Sequence, residues 1–260
     1  MKITLIVSTY NSPVKLSKVL EHVNIGATIP DEIIISDDGS DQETSAVVNK
    51  WKELLPIKHI WHEDKGFRKC KILNKSLLAS KSEYVVFLDG DCIPHKFFIK
   101  DHVKLAQKGF FVQGRRCFVP EKEVPNVING IKTLRNLFFS GKLSGYFKSI
   151  RFPKPIIKIN KNQRGLIGCN WSVWFEDLIK VNGFDEDYEG WGIGEDSDIC
   201  SRLYNLGHSR KFVYGRAIVY HLNHPQLPKL HQRNSKDRLI EVIQSGKVCC
   251  ENGIKKLTDS

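Results

Sequence analysis

The run Tyr84-Val85-Val86-Phe87-Leu88 passes directly into Asp89-Gly90-Asp91, and this junction constrains the fold more than any other part of the chain. Five consecutive β-forming apolar residues leave no solvent face, so their strand must be covered on both sides, as strands of parallel sheets are. The C-terminal end of such a strand is where an open α/β sheet meets its ligands. Two carboxylates one glycine apart repel each other there unless a cation lies between them, and hard oxygen donors suit Mg²⁺ or Mn²⁺. A turn or a helix N-cap uses the same residue types, so the rest of the chain has to decide.

The pattern recurs upstream. Ile3 to Val7 is an apolar run followed by Ser8-Thr9-Tyr10-Asn11, and Pro13 opens a helix to about Val23. Glu32 to Ser36 ends in Asp37-Asp38-Gly39-Ser40, with a helix continuing to about Glu53. A strand over Ile57 to Trp61 and a helix over Lys69 to Ala79 complete the series. Strands alternating with helices at this spacing predict an α/β fold, a Rossmann-like, mostly parallel central sheet flanked by helices.

Beyond about residue 110 the rhythm changes. The sequence predicts a strand over Phe110 to Val119, a strand or turn near Gly168 to Trp174 and a helix over Glu195 to Leu206, with acids in its first turn and Gly207 at its end. Short strands follow at Lys211 to Tyr214 and Ala217 to Tyr220, with His221 and His224 after the second. The simplest organisation is a nucleotide-binding half (1–110) and an acceptor-binding, catalytic half (111–228) sharing one sheet, then a polar, partly helical tail (229–260).

Three polar groups of the first half then converge on one sheet edge: Ser8 and Tyr10, Asp38, and the pair Asp89 and Asp91. A tyrosine stacks on a base, a carboxylate accepts from the N3–H of uracil, and an acid pair with its cation holds a diphosphate. In the second half, Gly190-Trp191-Gly192-Ile193-Gly194-Glu195-Asp196-Ser197-Asp198 joins a glycine loop, an aromatic platform for a sugar and three acids at a helix start. A carboxylate on an acceptor hydroxyl acts as a general base; the competing reading is that acids favour a helix N-terminus and Trp191 is core. Either His221 or His224 is suited to complete a metal site with Asp91, imidazole being compatible with Mn²⁺.

Composition narrows the partners. A chain of 260 residues, 41% hydrophobic, has material for one sizeable core. The net charge of +11 is concentrated: from Val124 to Phe175 there is no acid and nine lysines and arginines. Over 128–152, Lys132, Arg135, Lys142, Lys148 and Arg151 interleave with Leu134, Phe138, Phe139, Tyr146 and Phe147. That composition suits an anionic membrane surface, or equally an acceptor-site lid packed on the sheet. No recognised nucleic-acid module accompanies it, which disfavours nucleic acid. Seven cysteines without Cys-x-x-Cys spacing point away from a zinc site or disulfide framework and towards a reducing compartment, with Cys92 a packed thiol. The N-terminal apolar run is too short for a signal peptide and no later stretch is long enough to cross a bilayer, so the expected location is cytoplasmic, or peripheral on the inner face of the cytoplasmic membrane.

Strand-Ser8-Thr9-Tyr10-Asn11, Asp37-Asp38-Gly39-Ser40 and Asp89-Gly90-Asp91 together resemble the inverting glycosyltransferases of family 2, with the GT-A fold. Val181-Asn182-Gly183-Phe184-Asp185 through Trp191 to Asp196 is similar to the galactosyltransferase-type second half found in animal β-1,4-galactosyltransferases and bacterial chondroitin polymerases. Asp64-Lys65-Gly66-Phe67 and Gly168-Cys169-Asn170 are similar to segments of bacterial members that build lipopolysaccharide and capsule; the likeness covers about residues 2 to 224. It implies that Asp38 binds uracil, with Ser8, Tyr10 and Arg68 also at the nucleotide. It implies Asp91 and His221 as metal ligands, with Asp89 on the ribose or a metal-bound water. Asp196 is implied as catalytic base, with Glu195, Trp191 and Asn170 on the acceptor or donor sugar. Gly192-Ile193-Gly194 carries one residue more than the commonest Trp-Gly-x-Glu-Asp form, which leaves Glu195 and Asp196 both candidates for the base.

The implied activity is transfer of a hexose or N-acetylhexosamine from a UDP-sugar to a hydroxyl of a glycan or lipid-linked glycan, dependent on Mn²⁺ or Mg²⁺, in surface polysaccharide or lipopolysaccharide core synthesis. A sugar nucleotidyltransferase would need a glycine- and lysine-rich phosphate loop near its start, which the sequence lacks. A non-catalytic nucleotide-sugar- or membrane-binding protein of the same fold would tolerate loss of Asp91 or Asp196, and both are present.

Overall fold

In the computed structural model, which describes residues 1–160, 162–190, 192, 194–225 and 232–258, the first half alternates as the apolar runs predict. Strands β1 (Ile3–Thr9), β2 (Glu32–Asp37), β3 (Ile57–Trp61) and β4 (Tyr84–Asp89) are connected by helices α1 (Pro13–Asn24), α2 (Gln42–Lys52) and α3 (Lys69–Ala79). Local chemistry sets the helix starts: Pro13 sits in the first turn of α1, and the Asp41 side chain caps α2 by accepting from the Thr44 N–H at 3.3 Å. Successive strand residues point to opposite faces. Leu5 and Val7 of β1 and Val86 and Leu88 of β4 enter the core shared with α1 and α2, whereas Ile6, Val85 and Phe87 enter the core shared with α3. Two covered faces account for the unbroken apolar runs.

The remaining elements are β5 (Cys92–Pro94), α4 (Phe98–Leu105), β6 (Phe110–Gln113), β7 (Arg115–Val119), α5 (Val124–Ile128), α6 (Leu134–Phe139), β8 (Ile156–Asn160), β9 (Asn170–Trp174), α7 (Phe175–Lys180), α8 (Glu195–Asn205), β10 (Ser209–Tyr214), β11 (Ile218–Leu222), α9 (Gln232–Ser245) and α10 (Ile254–Thr258). The main sheet has eight strands in the order β3-β2-β1-β4-β9-β6-β10-β8. Only β9 and β8 run against the others, so the sheet is mixed but mostly parallel. Trp171 of β9 stacks on Phe87 of β4 with centroids 4.4 Å apart, joining the second half to the first. A second sheet, β5-β11-β7, lies on the α1 side.

Two expectations change. Phe110 to Val119 is two strands in different sheets, because the chain turns at Gly114. A Cβ there would stand 2.1 Å from the Ala217 carbonyl oxygen and 2.5 Å from Asn170 Oδ1, so only glycine lets the backbone close on these neighbours. His221 lies within β11, not after it. In the basic stretch 128–152 three of the five basic residues are ion-paired, to two acids: Glu123 takes Lys132 at 2.8 Å and Lys142 at 3.2 Å, and Asp101 takes Arg151 at 2.7 Å. Its aromatics form a continuous file, Phe139 to Phe138, Tyr146 and Phe147, with centroid spacings of 5.3, 4.6 and 5.8 Å. The end rings, Phe139 and Phe147, are 71% and 82% exposed. Among the described residues no helix is long and apolar enough to cross a membrane.

Candidate active site

Parallel pairing in register brings the polar strand ends together: Ser8 stands opposite Ser36 on one side and Asp89 on the other. A cleft of about 450 Å³ opens along this edge, lined by Ser8, Tyr10, Asp38, Lys69, Asp89, Asp91 and His224 among others, large enough for a sizeable small-molecule ligand.

The two acids at the end of β2 divide their tasks. Asp37 is fully buried; it accepts from the Ser40 N–H at 2.8 Å and pairs with His59 Nε2 at 2.8 Å, which fixes the turn. Asp38 faces the cleft, with Oδ1 2.7 Å from His62 Nε2 and Oδ2 accepting from the Arg68 N–H at 2.9 Å. Burial raises the Asp38 carboxyl against the opposing pull of His62 and Arg68, and burial lowers the His62 imidazole. Gly39 has φ +99°, and a Cβ there would stand 2.6 Å from Asp64 Cα; glycine lets the loop after β3 close over this turn. Tyr10 is 48% exposed and donates to Asp64 Oδ2 at 2.8 Å.

Asp89 Oδ1 accepts from Ser8 Oγ at 2.7 Å and from Lys69 Nζ at 3.0 Å. Asp91 meets two imidazoles: its Oδ2 is 3.4 Å from His221 Nε2 and 3.1 Å from His224 Nε2. Pairing of β11 with β5, which sets His221 opposite Cys92, creates this contact. Burial raises the Asp91 carboxyl, but the two histidines outweigh it and hold it well below the usual carboxylate range. The ligand atoms of Asp91, His221 and Cys92 lie within 4.8 Å of one another, with His224 also against Asp91; a carboxylate with imidazole nitrogen fits a divalent cation, and nitrogen donors favour Mn²⁺ over Mg²⁺. Cys92 donates its Sγ–H to Asp91 Oδ1 at 3.4 Å, and burial pushes its thiol well up.

The acids at the start of α8 also divide. Asp198 is buried against Arg202, accepting from its Nε at 2.8 Å, while the same guanidinium donates to the Gly183 carbonyl at 2.7 Å; this pair is structural. Asp196 Oδ2 accepts from the Gly168 N–H at 3.1 Å, and a Cβ on Gly168 would stand 2.3 Å from Asp196 Oδ1. Gly168 is therefore a seat for this carboxylate. Burial and then Glu195 push the Asp196 carboxyl up to about 7 against the pull of Lys69, a value suited to proton transfer near neutrality.

The structure thus brings Ser8, Tyr10, Asp38, Asp89 and Asp91 to one cleft, His221 to Asp91, and Asp196 and Glu195 within electrostatic reach through Lys69. Asn170 is a correction. It is fully buried and turned away from the cleft: its Oδ1 is 3.0 Å from His102 Nε2, and its Nδ2 donates to the Ala217 and Arg115 carbonyls at 2.8 and 2.9 Å. Such a side chain joins β9, β7 and the turn before β11 rather than meeting a sugar. Arg68 meets Asp38 through its backbone, while its guanidinium donates to the Glu63 carbonyl. Trp191 lies outside the described residues. His62, Lys69 and the seating role of Gly168 were not apparent from the sequence, since no spacing pattern marks a lone histidine or lysine.

Solved structures share this architecture. Staphylococcus aureus TarS 1–349 in complex with UDP-GlcNAc superposes with a TM-score of 0.67 at 17% identity, covering 95% of this chain and 66% of that one. The mannosyltransferase PcManGT of Pyrobaculum calidifontis, in complex with GDP-Man and Mn²⁺, gives 0.59 at 18% identity, over 92% of this chain and 61% of that one. The mixed sheet is that of the GT-A fold.

The chain belongs to glycosyl transferase family 2, whose model matches residues 4–181; the N-terminal domain of galactosyltransferase matches residues 154–225. Among curated relatives, chondroitin synthase of Escherichia coli is 27% identical over 244 residues, 86% of this chain and 35% of that protein. Validoxylamine A glucosyltransferase of Streptomyces hygroscopicus subsp. limoneus is 26% identical over 222 residues, 79% of this chain and 48% of that protein. The chain therefore spans between a third and a half of the length of these relatives.

Proposed function

We propose that this glycosyltransferase is a metal-dependent, inverting enzyme that moves a hexose or N-acetylhexosamine from a UDP-sugar to a glycan hydroxyl, in the synthesis of a surface polysaccharide or lipopolysaccharide core. The observation that carries the reading is the run of acids along one edge: Asp38 at one end of the cleft, Asp89 and Asp91 in the middle, and Asp196 seated on Gly168 beyond Lys69. The UDP complexes of TarS and the GDP-Man and Mn²⁺ complex of PcManGT support it by likeness of fold.

In this reading Tyr10 stacks on the uracil, Asp38 accepts its N3–H, and Ser8 keeps Asp89 turned towards the ribose. Asp91, His221 and His224 would hold Mn²⁺, which supplies positive charge against the diphosphate. Asp196, ionised, takes the proton of the acceptor hydroxyl as that oxygen attacks the anomeric carbon from the face opposite the diphosphate. One displacement turns an α-linked donor into a β-glycoside. Glu195, beside Asp196, raises the base's proton affinity and orients the acceptor.

The test is release of UDP from a panel of nucleotide sugars, with Mn²⁺ and with chelator. Metal-dependent release from one donor, lost in Asp196→Asn, is the expected result. Metal-independent release, or an unimpaired variant, contradicts the mechanism. The exposed aromatic file from Phe139 to Phe147, beside Arg135 and Lys148, favours a second reading, peripheral contact with an anionic membrane. Co-sedimentation with phosphatidylglycerol vesicles, reduced in Phe139→Ser/Phe147→Ser, is its check; equal sedimentation of both proteins counts against it.

A further inference from the structure

Lys69 opens α3 and lines the cleft, with its side chain 18% exposed. Its Nζ donates to Asp89 Oδ1 at 3.0 Å, the oxygen that Ser8 Oγ also reaches at 2.7 Å. Burial works against its charge, but Asp89, Asp196 and Glu195 together outweigh it, so the ammonium persists. The helix that carries it is fixed from behind: Asn74 Nδ2 donates to the Phe184 carbonyl and its Oδ1 accepts from the Phe184 N–H, both at 2.8 Å. A rigid element thus holds one cation between the first acid of the pair after β4 and the base at α8.

The order of groups along the sheet edge says what belongs beside that cation. Asp38 follows β2, Ser8 is the penultimate residue of the neighbouring β1, and Asp89 ends β4, the next strand across, with Asp91 just beyond it. A nucleotide sugar laid along this edge with its base at Asp38 has its diphosphate at the acid pair and its anomeric carbon towards Asp196. The bond to be broken then falls where Lys69 stands. A lysine ammonium has three N–H donors, and Asp89 uses one of them.

We propose that Lys69 is a donor-binding residue, whose ammonium, anchored on Asp89, binds the β-phosphate of the nucleoside diphosphate and stabilises it as leaving group. As the anomeric C–O bond breaks, its electron pair stays on the β-phosphate oxygen facing Lys69. The acceptor oxygen makes the new bond, and Asp196 keeps the acceptor's proton. This assignment rests on the UDP-sugar reading above and adds to it a contact made by a side chain other than the metal-holding residues.

Calorimetric titration of UDP and of UMP, each with Mn²⁺, into wild type, Lys69→Met and Lys69→Arg tests it without an acceptor. UMP lacks the β-phosphate. The expected result is that Lys69→Met weakens UDP binding by about tenfold or more, as loss of a charge-assisted hydrogen bond does, and changes UMP binding less than about twofold, while Lys69→Arg recovers most of the UDP affinity. A lysine that only neutralises Asp89 would alter both ligands alike; parallel loss, or no loss, overturns the proposal. Should Lys69→Met lack a cooperative melt, Lys69→Gln replaces it in the same comparison. Wild type that binds neither ligand fails the UDP-sugar reading itself, and this assignment with it.

Discussion

Burial and Glu195 push the Asp196 carboxyl up to about 7, while Lys69 pulls it down. In the proposed mechanism the base acts ionised, so kcat should rise with pH through about 7 and level off above it, and Asp196→Asn should lose about 10²–10⁴-fold together with that inflection. The same shift has a stability consequence of definite sign. A carboxyl whose folded pKa lies above its unfolded value of about 3.9 favours the fold at low pH, and that contribution disappears as pH rises to the folded value. Asp196→Asn should therefore melt at least about 2 °C above wild type at pH 8, the shift expected of 1 kcal/mol in a chain of this size, with the gap narrowing as pH falls below about 7 and closing only near about pH 4. A gap independent of pH contradicts the assignment. At this scale the clustering of acids was legible where an acid stood beside glycine at the end of a strand, as Asp38, Asp89 and Asp91 do, or in the first turn of a helix, as Asp196 does. It was silent on His62 and Lys69, whose partners come from other elements. It misled at Asn170, because a buried amide that ties backbone carbonyls looks the same in sequence as one that holds a ligand.

Elements matter here for how firmly they present these side chains. Helix α8 carries Glu195 and Asp196 at its start and is pinned by Arg202, which joins Asp198 to the Gly183 carbonyl from a fully buried position. Removing one partner of a buried pair leaves the other charge unpaired and typically costs about 3–5 kcal/mol. Arg202→Met should therefore lower Tm by roughly 10 °C in thermal denaturation, and a fall below about 2 °C would show that the pair does not hold the helix. Elements of the first half were readable because apolar runs and helical spacing alternate cleanly from Ile3 to Leu88. The split at Gly114 was not, since the close approach of Ala217 and Asn170 that requires it is a tertiary fact. Nor was β8, an edge strand whose Ile156 and Ile159 are each about half exposed, at 52% and 51%; its pattern lacks the inside–outside alternation that marks a half-buried strand.

Across the whole molecule, the site depends on two sheets meeting. The main sheet supplies the acids, and the small β5-β11-β7 sheet returns His221 to the residue before β5. The fold class and the polar edge of the sheet followed from local patterns, whereas this junction depends on pairing between segments distant in the chain, which no local pattern encodes. The central claim is that these parts make one nucleotide and metal site, and titration of UDP into the protein with and without Mn²⁺ tests it most directly, beside Asp91→Ala and Asp196→Asn. The account predicts UDP binding that requires Mn²⁺, is lost in Asp91→Ala and is kept in Asp196→Asn. UDP binding indifferent to Mn²⁺ and to Asp91, or none in wild type, would contradict it.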